Sequence, residues 1–182
     1  MESIRIIPFC VPLTPSGSGE SSGVGVVGTI TLRGQSAIVW FGWGAVEQIR
    51  EEEGGDDNIT SDSTVAIGTG RPPMGSLSLS MPPSSTRKGP SIIPTPTSQL
   101  LGGSSEEDMM LGQQMSARLA KRIGWPIFVS CSFSGWNGDS GESGASPALA
   151  AGFDDESMPA AMAEKEVTRI LTLEKDKLAV ST

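Results

Sequence analysis

The sequence predicts an α+β fold, and three observations carry that prediction. Extended segments rich in branched apolar residues fill the first hundred positions, a helix signed at both ends follows, and a second helical stripe comes after one further strand. The order is several strands, helix, strand, helix, with no repeat at a period of 20–50 residues.

Ile4 to Leu13 reads as extended, and its prolines, Pro8 and Pro12, place it at a sheet edge or strand end, where a missing backbone N–H does no harm. A Ser/Gly tract, 16–23, separates it from Val24, Val26, Ile30 and Leu32, which alternate with small or polar residues. Arg33-Gly34-Gln35-Ser36 then divides that strand from the dense run Ala37-Ile38-Val39-Trp40-Phe41. Together they predict a hairpin whose second strand is buried on both faces. Leu77, Leu79 and Met81 alternate with serines, a period-2 signal for a half-buried strand ended by Pro82-Pro83, and a short extended piece covers Ile92 to Leu101.

The clearest helix opens at Ser104-Ser105-Glu106-Glu107-Asp108. Ser104 with Glu107 fits a capping box, and three acids sit at the positive end of the helix dipole. Leu111, Met115, Leu119 and Ile123 form its apolar stripe, Arg118, Lys121 and Arg122 complement the dipole in its last turns, and Gly124 closes it. The next strand places Ile127, Val129, Cys131 and Phe133 on one face. A second helix starts near Ser157, tolerates Pro159 in its first turn, and presents Ala163, Val167, Ile170 and Leu171 as a stripe. The whole is one domain, 1–182, with disordered insertions at 44–75 and 134–156 and a flexible tail at 175–182. The first insertion carries the acidic run 51–58, too polar to bury.

Composition excludes much chemistry. The chain has no histidine and no tyrosine, so imidazole acid–base catalysis, His-ligated metals and Ser–His or Cys–His nucleophiles are ruled out within it. Thirteen basic against 21 acidic residues give a net charge of −8, contrary to the Lys/Arg excess that phosphate binding needs, so no nucleic-acid role is expected. Cys10 and Cys131 cannot make a four-cysteine zinc site. The apolar stretch Ile6 to Leu13 is broken by two prolines with no basic cluster before it, a poor signal peptide, and no run approaches the ~20 apolar residues of a membrane span. The expectation is a soluble intracellular protein, cytoplasmic and also nuclear, with no membrane association and no cofactor.

Several motifs imitate active sites without their context. The run from Gly23 to Gly28 matches G-x-G-x-x-G, but β-like residues rather than a helix follow it. Gly138-Asp139-Ser140-Gly141 copies a serine-protease signature without a histidine base, and the Ser85–Lys88 match to S-x-x-K sits in a turn rather than at a helix start. Asp139, Asp154 and Asp155 fit no calcium-loop spacing, and the sequon at Asn58-Ile59-Thr60 needs a secretory route to be used.

The order of Ala37-Ile38-Val39-Trp40-Phe41-Gly42, then Leu77 to Pro82, then Thr97-Ser98-Gln99-Leu100-Leu101-Gly102-Gly103, then Gln113 to Ile123 running into Ile127-Phe128-Val129-Ser130, resembles the proteasome assembly chaperone 4 family. The matching blocks, 36–43, 75–82, 94–133 and 158–174, make up about two fifths of the chain. The tract after Leu13, the acidic insertion and the loop from Ser134 to Asp155 depart from the family pattern. The resemblance implies a small antiparallel β-sheet of about six strands with two packed helices and a non-catalytic function. It further implies a heterodimer with an assembly chaperone 3-like protein that binds alpha-type subunits, promotes α-ring formation in the 20S proteasome, and leaves as β subunits join.

Candidate interface residues on this reading are Val39, Trp40 and Phe41 on the sheet, for core or dimer packing, and Arg118 and Arg122 on the helix. A β-rich adaptor unrelated to the proteasome is the alternative, and an enzyme built on the three aspartates a third. Ser104 and Ser105 before three acids also resemble an acid-directed kinase site.

Overall fold

A computed structural model describes residues 4–13, 22–47, 75–83, 95–102, 105–134 and 157–180. The two insertions beyond their edges, the Ser85–Lys88 and Gly138–Gly141 matches, the three aspartates, the sequon and Ser104 lie outside the described residues. In chain order the elements are β1 (Arg5–Pro12), β2 (Ser22–Arg33), β3 (Ser36–Glu47), β4 (Ser76–Ser80), β5 (Thr97–Leu101), α1 (Glu106–Ile123), β6 (Ile127–Ser132) and α2 (Ser157–Val180). β3 therefore takes in positions 44–47, assigned above to an insertion, because the hairpin ladder continues to the pair Ser22↔Glu47. Likewise α2 runs through positions 175–180, expected to be tail, where Glu174 and Lys177 pair one turn apart.

The strands form one six-stranded sheet in the order β1-β2-β3-β6-β4-β5. All neighbours are antiparallel except β3 and β6, which pair in parallel from Ala37↔Ile127 to Gly42↔Ser132. The exception follows from connectivity. β4 and β5 form an antiparallel pair, α1 then carries the chain back along the sheet, and β6 starts again in the direction of β5 on the other side of β4. The β2–β3 turn is Gly34-Gln35. Gly34 has φ 54°, a left-handed conformation that glycine adopts without strain, and the Ser36 hydroxyl donates to the Arg33 carbonyl at 2.8 Å.

Both helices contribute to one face of the sheet, and period-2 geometry decides which residues meet them. Val39, Phe41 and Trp43 of β3, Val26 and Ile30 of β2, and Ile127, Val129 and Cys131 of β6 are buried with Met115, Leu119 and Ile123 of α1 and Ala163, Val167 and Leu171 of α2. Phe133 meets Phe41 edge-on at 5.4 Å and Trp43 at 5.0 Å. The aromatic ring of Phe9 occupies the space a Cβ would need at Gly28. The other face of β3 is mixed: Ile38 is 46% exposed and Trp40 half-buried, while Gly42, Gly44 and Val46 at its far end are buried.

β4 reverses the usual apolar-inward pattern. Ser76, Ser78 and Ser80 are fully buried under α1, while Leu77 and Leu79 lie half-buried on the opposite face and Met81 is exposed. The reason is distance. A Cβ at Gly112 would stand 3.5 Å from the Ser76 hydroxyl and 3.8 Å from that of Ser78, so α1 comes too close for leucine beneath it. Two of the three hydroxyls bond locally: Ser76 Oγ donates to the Asp108 carbonyl at 3.0 Å, and Ser80 Oγ bonds Ser116 Oγ at 2.8 Å and Thr97 Oγ1 at 2.7 Å, while the Ser78 hydroxyl is buried with no partner among the described residues.

The N-cap of α1 is Ser105 rather than Ser104, its hydroxyl accepting from the Asp108 N–H at 3.3 Å. The Asp108 carboxylate turns to β6, accepting from the N–H of Phe133 at 3.1 Å and from the N–H and hydroxyl of Ser134 at 3.2 and 2.6 Å. At the other end Gly124, φ 79°, donates its N–H to the Ala120 carbonyl at 2.9 Å. The Lys175 ammonium of α2 bonds the Ile123 carbonyl at 2.8 Å, satisfying a group the helix leaves open. Glu174, buried on α2, pairs with Arg5 of β1 and with Lys177 at 2.7 Å, tying α2 to the sheet edge.

Two expectations follow. Asp108→Ala leaves two amides and a hydroxyl without their acceptor and is expected to lower stability by about 3 kcal/mol in urea titrations; a loss under about 0.5 kcal/mol would contradict the role given to this carboxylate. Burial alone would push the Glu174 carboxyl up, but hydrogen bonds from Lys177 and Arg5 and their charges hold it below its ordinary 4.5. A depressed folded-state value means stability present above about pH 4.5 and lost as pH falls below it. Melting curves of the native chain and Glu174→Gln should therefore differ most above pH 5 and converge towards pH 3.

Candidate partner-binding surface

The sheet face away from the helices has no layer of this chain over it among the described residues. Its composition follows from register. One cross-strand row runs Ile6, Thr31, Ile38, Phe128, Leu79, and the next runs Pro8, Thr29, Trp40, Ser130, Leu77. Neither row contains Asp, Glu, Lys or Arg, in a chain of net charge −8, and Arg33 stands at the hairpin rim. Ile38 and Ile6 are 46% and 67% exposed, and Phe128, Leu77 and Leu79 are half-buried. An apolar, charge-depleted centre with a charged rim is the anatomy of a protein interface.

Two polar atoms sharpen this. The Trp40 indole Nε1 and the Ser130 hydroxyl, register neighbours on this face, are buried without a hydrogen-bond partner among the described residues. Such groups are costly to leave unmet and are satisfied when an acceptor arrives. Cys10, on the same face beside Val27, is half-buried, and burial pushes its thiol up to about 11. It is a packing thiol, not a nucleophile, at neutral pH. Gly42 and Gly44 keep the face low where Val27 leans over, its methyls filling the space a Cβ would take at Gly44.

The structure separates the five sequence-predicted interface residues. Val39 and Phe41, expected in core or dimer packing, are in the core: alternation turns them to the helices, where both are fully buried, so neither is part of the open face. Trp40 between them lies on the open face. Arg118 and Arg122 sit exposed on α1 beside α2, on the opposite side of the molecule. Arg118 is bound to Glu164, Nε at 2.9 Å and Nη2 at 2.6 Å, which with the paired charge raises its already high pKa. Arg122 makes no ion pair among the described residues. Ile38, Phe128, Leu77 and Leu79 were missed, although the period-2 pattern around Trp40 was the signal that could have found them.

Of the remaining motifs, the one within the described residues carries no site. The G-x-G-x-x-G run lies within β2 and pairs with β3 throughout, so its N–H groups do not cradle a phosphate. Among the described residues no three His, Cys, Asp or Glu side chains gather as a metal site, and no helix is long and apolar enough to cross a membrane.

No curated protein sequence matches the chain. A solved structure described as a novel chaperone complex for yeast 20S proteasome assembly contains a chain that aligns at a TM-score of 0.47 and 10% identity, covering 94% of this chain and 98% of that one. The sequence model of one family matches residues 27–133, from the middle of β2 through the end of β6, more than half of the chain. The protein belongs to the proteasome assembly chaperone 4 family.

Proposed function

We propose that this protein is a non-catalytic chaperone of 20S proteasome assembly, acting in the cytoplasm and nucleus. It pairs through its open sheet face with an assembly chaperone 3-like protein. The pair binds alpha-type subunits, promotes α-ring formation and leaves as β subunits join. Family membership supports the role, and one observation supports the mode of pairing: a sheet face uncharged at its centre, carrying exposed Ile38 and the indole N–H of Trp40, which has no partner among the described residues. A chaperone of this kind must hold a surface transiently and yield it to a competitor, which needs binding groups and no cofactor.

The testing experiment is a pull-down of the tagged chain from its own cell extract in mild salt. Recovery of a second small assembly chaperone with alpha-type but few β-type subunits is expected. Recovery of neither, where assembly intermediates are present, would replace the reading with the adaptor alternative. Ile38→Glu places a charge where the chain alone leaves the side chain exposed, so it should shift the melting temperature by less than a few degrees while reducing recovery of the small partner at least tenfold. Iodoacetamide should label Cys10 slowly at pH 7.5 and faster as pH approaches 11. Added small partner should suppress that labelling further, read by intact-mass spectrometry.

A further inference from the structure

The helix layer carries its own surface feature, a groove of about 620 Å³ between α1 and α2. Arg118 and Arg122 form one wall, four residues apart on α1, and Lys165 and Arg169 the other, four apart on α2. Residues at that spacing are neighbours on a helix, so each wall sets like charges side by side, an arrangement that disfavours the empty groove. Glu164 is the one carboxylate among the lining residues, and Arg118 occupies it with three hydrogen bonds. Arg169 is held by Glu166 at 2.6 Å. Arg122 and Lys165 have no carboxylate partner, and the Thr168 hydroxyl in the same groove is buried with no hydrogen-bond partner among the described residues.

This concentration of positive charge stands on a protein of net charge −8, opposite a sheet face whose two central rows carry no charge. Dipole compensation accounts for Lys121 and Arg122 in the last turn of α1, but not for Lys165 and Arg169 in the middle of α2. The groove is open to solvent, and its lining side chains are exposed except Glu164 and Thr168, which are partly buried.

We propose that this groove docks an acidic peptide segment of a partner protein, its carboxylates meeting Arg122 and Lys165. The proposal rests on the reading of the chain as a binding protein and adds a second, electrostatic contact on the side opposite the sheet face. Charge complementarity selects the occupant: two unpaired cations on facing helices match carboxylates spaced along one strand of peptide.

The test uses the purified full chain and a fluorescein-labelled ten-residue Glu/Gly peptide, with the Gln/Gly peptide as its neutral control, followed by anisotropy at 50 and 300 mM NaCl. Binding of the acidic peptide only, weakened several-fold by the higher salt, is expected. Arg122→Glu with Lys165→Glu should weaken it at least tenfold. Arg33→Glu with Lys121→Glu, the same change of net charge outside the groove, should weaken it less than threefold. Equal loss in the two double variants, or equal binding of the Gln peptide, would overturn the proposal. Full displacement by 10 mM inorganic phosphate would also overturn it, in favour of a small-anion site. Tighter binding after deletion of residues 51–57 would overturn it in favour of the chain's own acidic run as occupant. The small chaperone partner should still be recovered with the groove variant. Loss of groove binding with that partner retained separates failure of this inference from failure of the pairing reading.

Discussion

The close seating of α1 on β4 and β6 is the constraint from which the rest of the architecture follows. Two hairpin systems, β1-β2-β3 and β4-β5, meet only through β6, which pairs with β3 on one side and β4 on the other. What holds β6 in that slot is the helix above it. Gly112 and Ser116 let α1 approach the serines of β4, and Asp108 gathers the N–H groups just past the end of β6 onto the first turn of the helix. A carboxylate accepting several N–H bonds beside the positive end of a helix is among the stronger local electrostatic arrangements a protein can build. The sheet is continuous because that contact exists.

A second consequence is the division of the surface. α1 and α2 pack on the same face, with Lys175 completing the end of α1 and Glu174 joining α2 to Arg5 on β1, so neither helix is left to cover the other side. The side that no described element covers is uncharged in its central rows, whereas the ion pairs described here all belong to the helix layer and its junction with β1. Apolar burial and charge recognition are therefore assigned to opposite sides of one sheet. Contacts of the first kind set how long a complex lives, and contacts of the second kind set how fast and with whom it forms.

Much of this was legible in the sequence. The stripes of both helices, the Arg33–Ser36 turn, the Gly124 stop and the edge position of the proline-bearing β1 each follow from a local rule that tertiary structure did not override. What was not legible shares a cause. In β4 alternation gives two sets of residues but not which set meets a helix, and only the nearness of Gly112 assigns the serines to it. The parallel pairing of β6 depends on where α1 sets the chain down, which no local pattern encodes. On β3, Val39 and Phe41 take the core part of the packing expected for this stretch and Trp40 the opposite face, a division between neighbours that alternation requires. The groove cations of α2 were not singled out, because Lys165 and Arg169 join Arg118 and Arg122 only when the two helices lie side by side.

β3 carries both halves of this design in one stretch of twelve residues. Its odd positions from Ala37 to Trp43 belong to the interior, and Ile38 and Trp40 belong to the opposite face. The strand is thus read twice, in two interleaved frames, by two different selective demands. A substitution in one frame is invisible to the other, so folding and recognition can drift independently along the same segment. An inserted or deleted residue is not so confined. By shifting the alternation it would exchange the two frames at a stroke, sending Trp40 inward and Val39 outward, so this strand can tolerate change of content but not change of length.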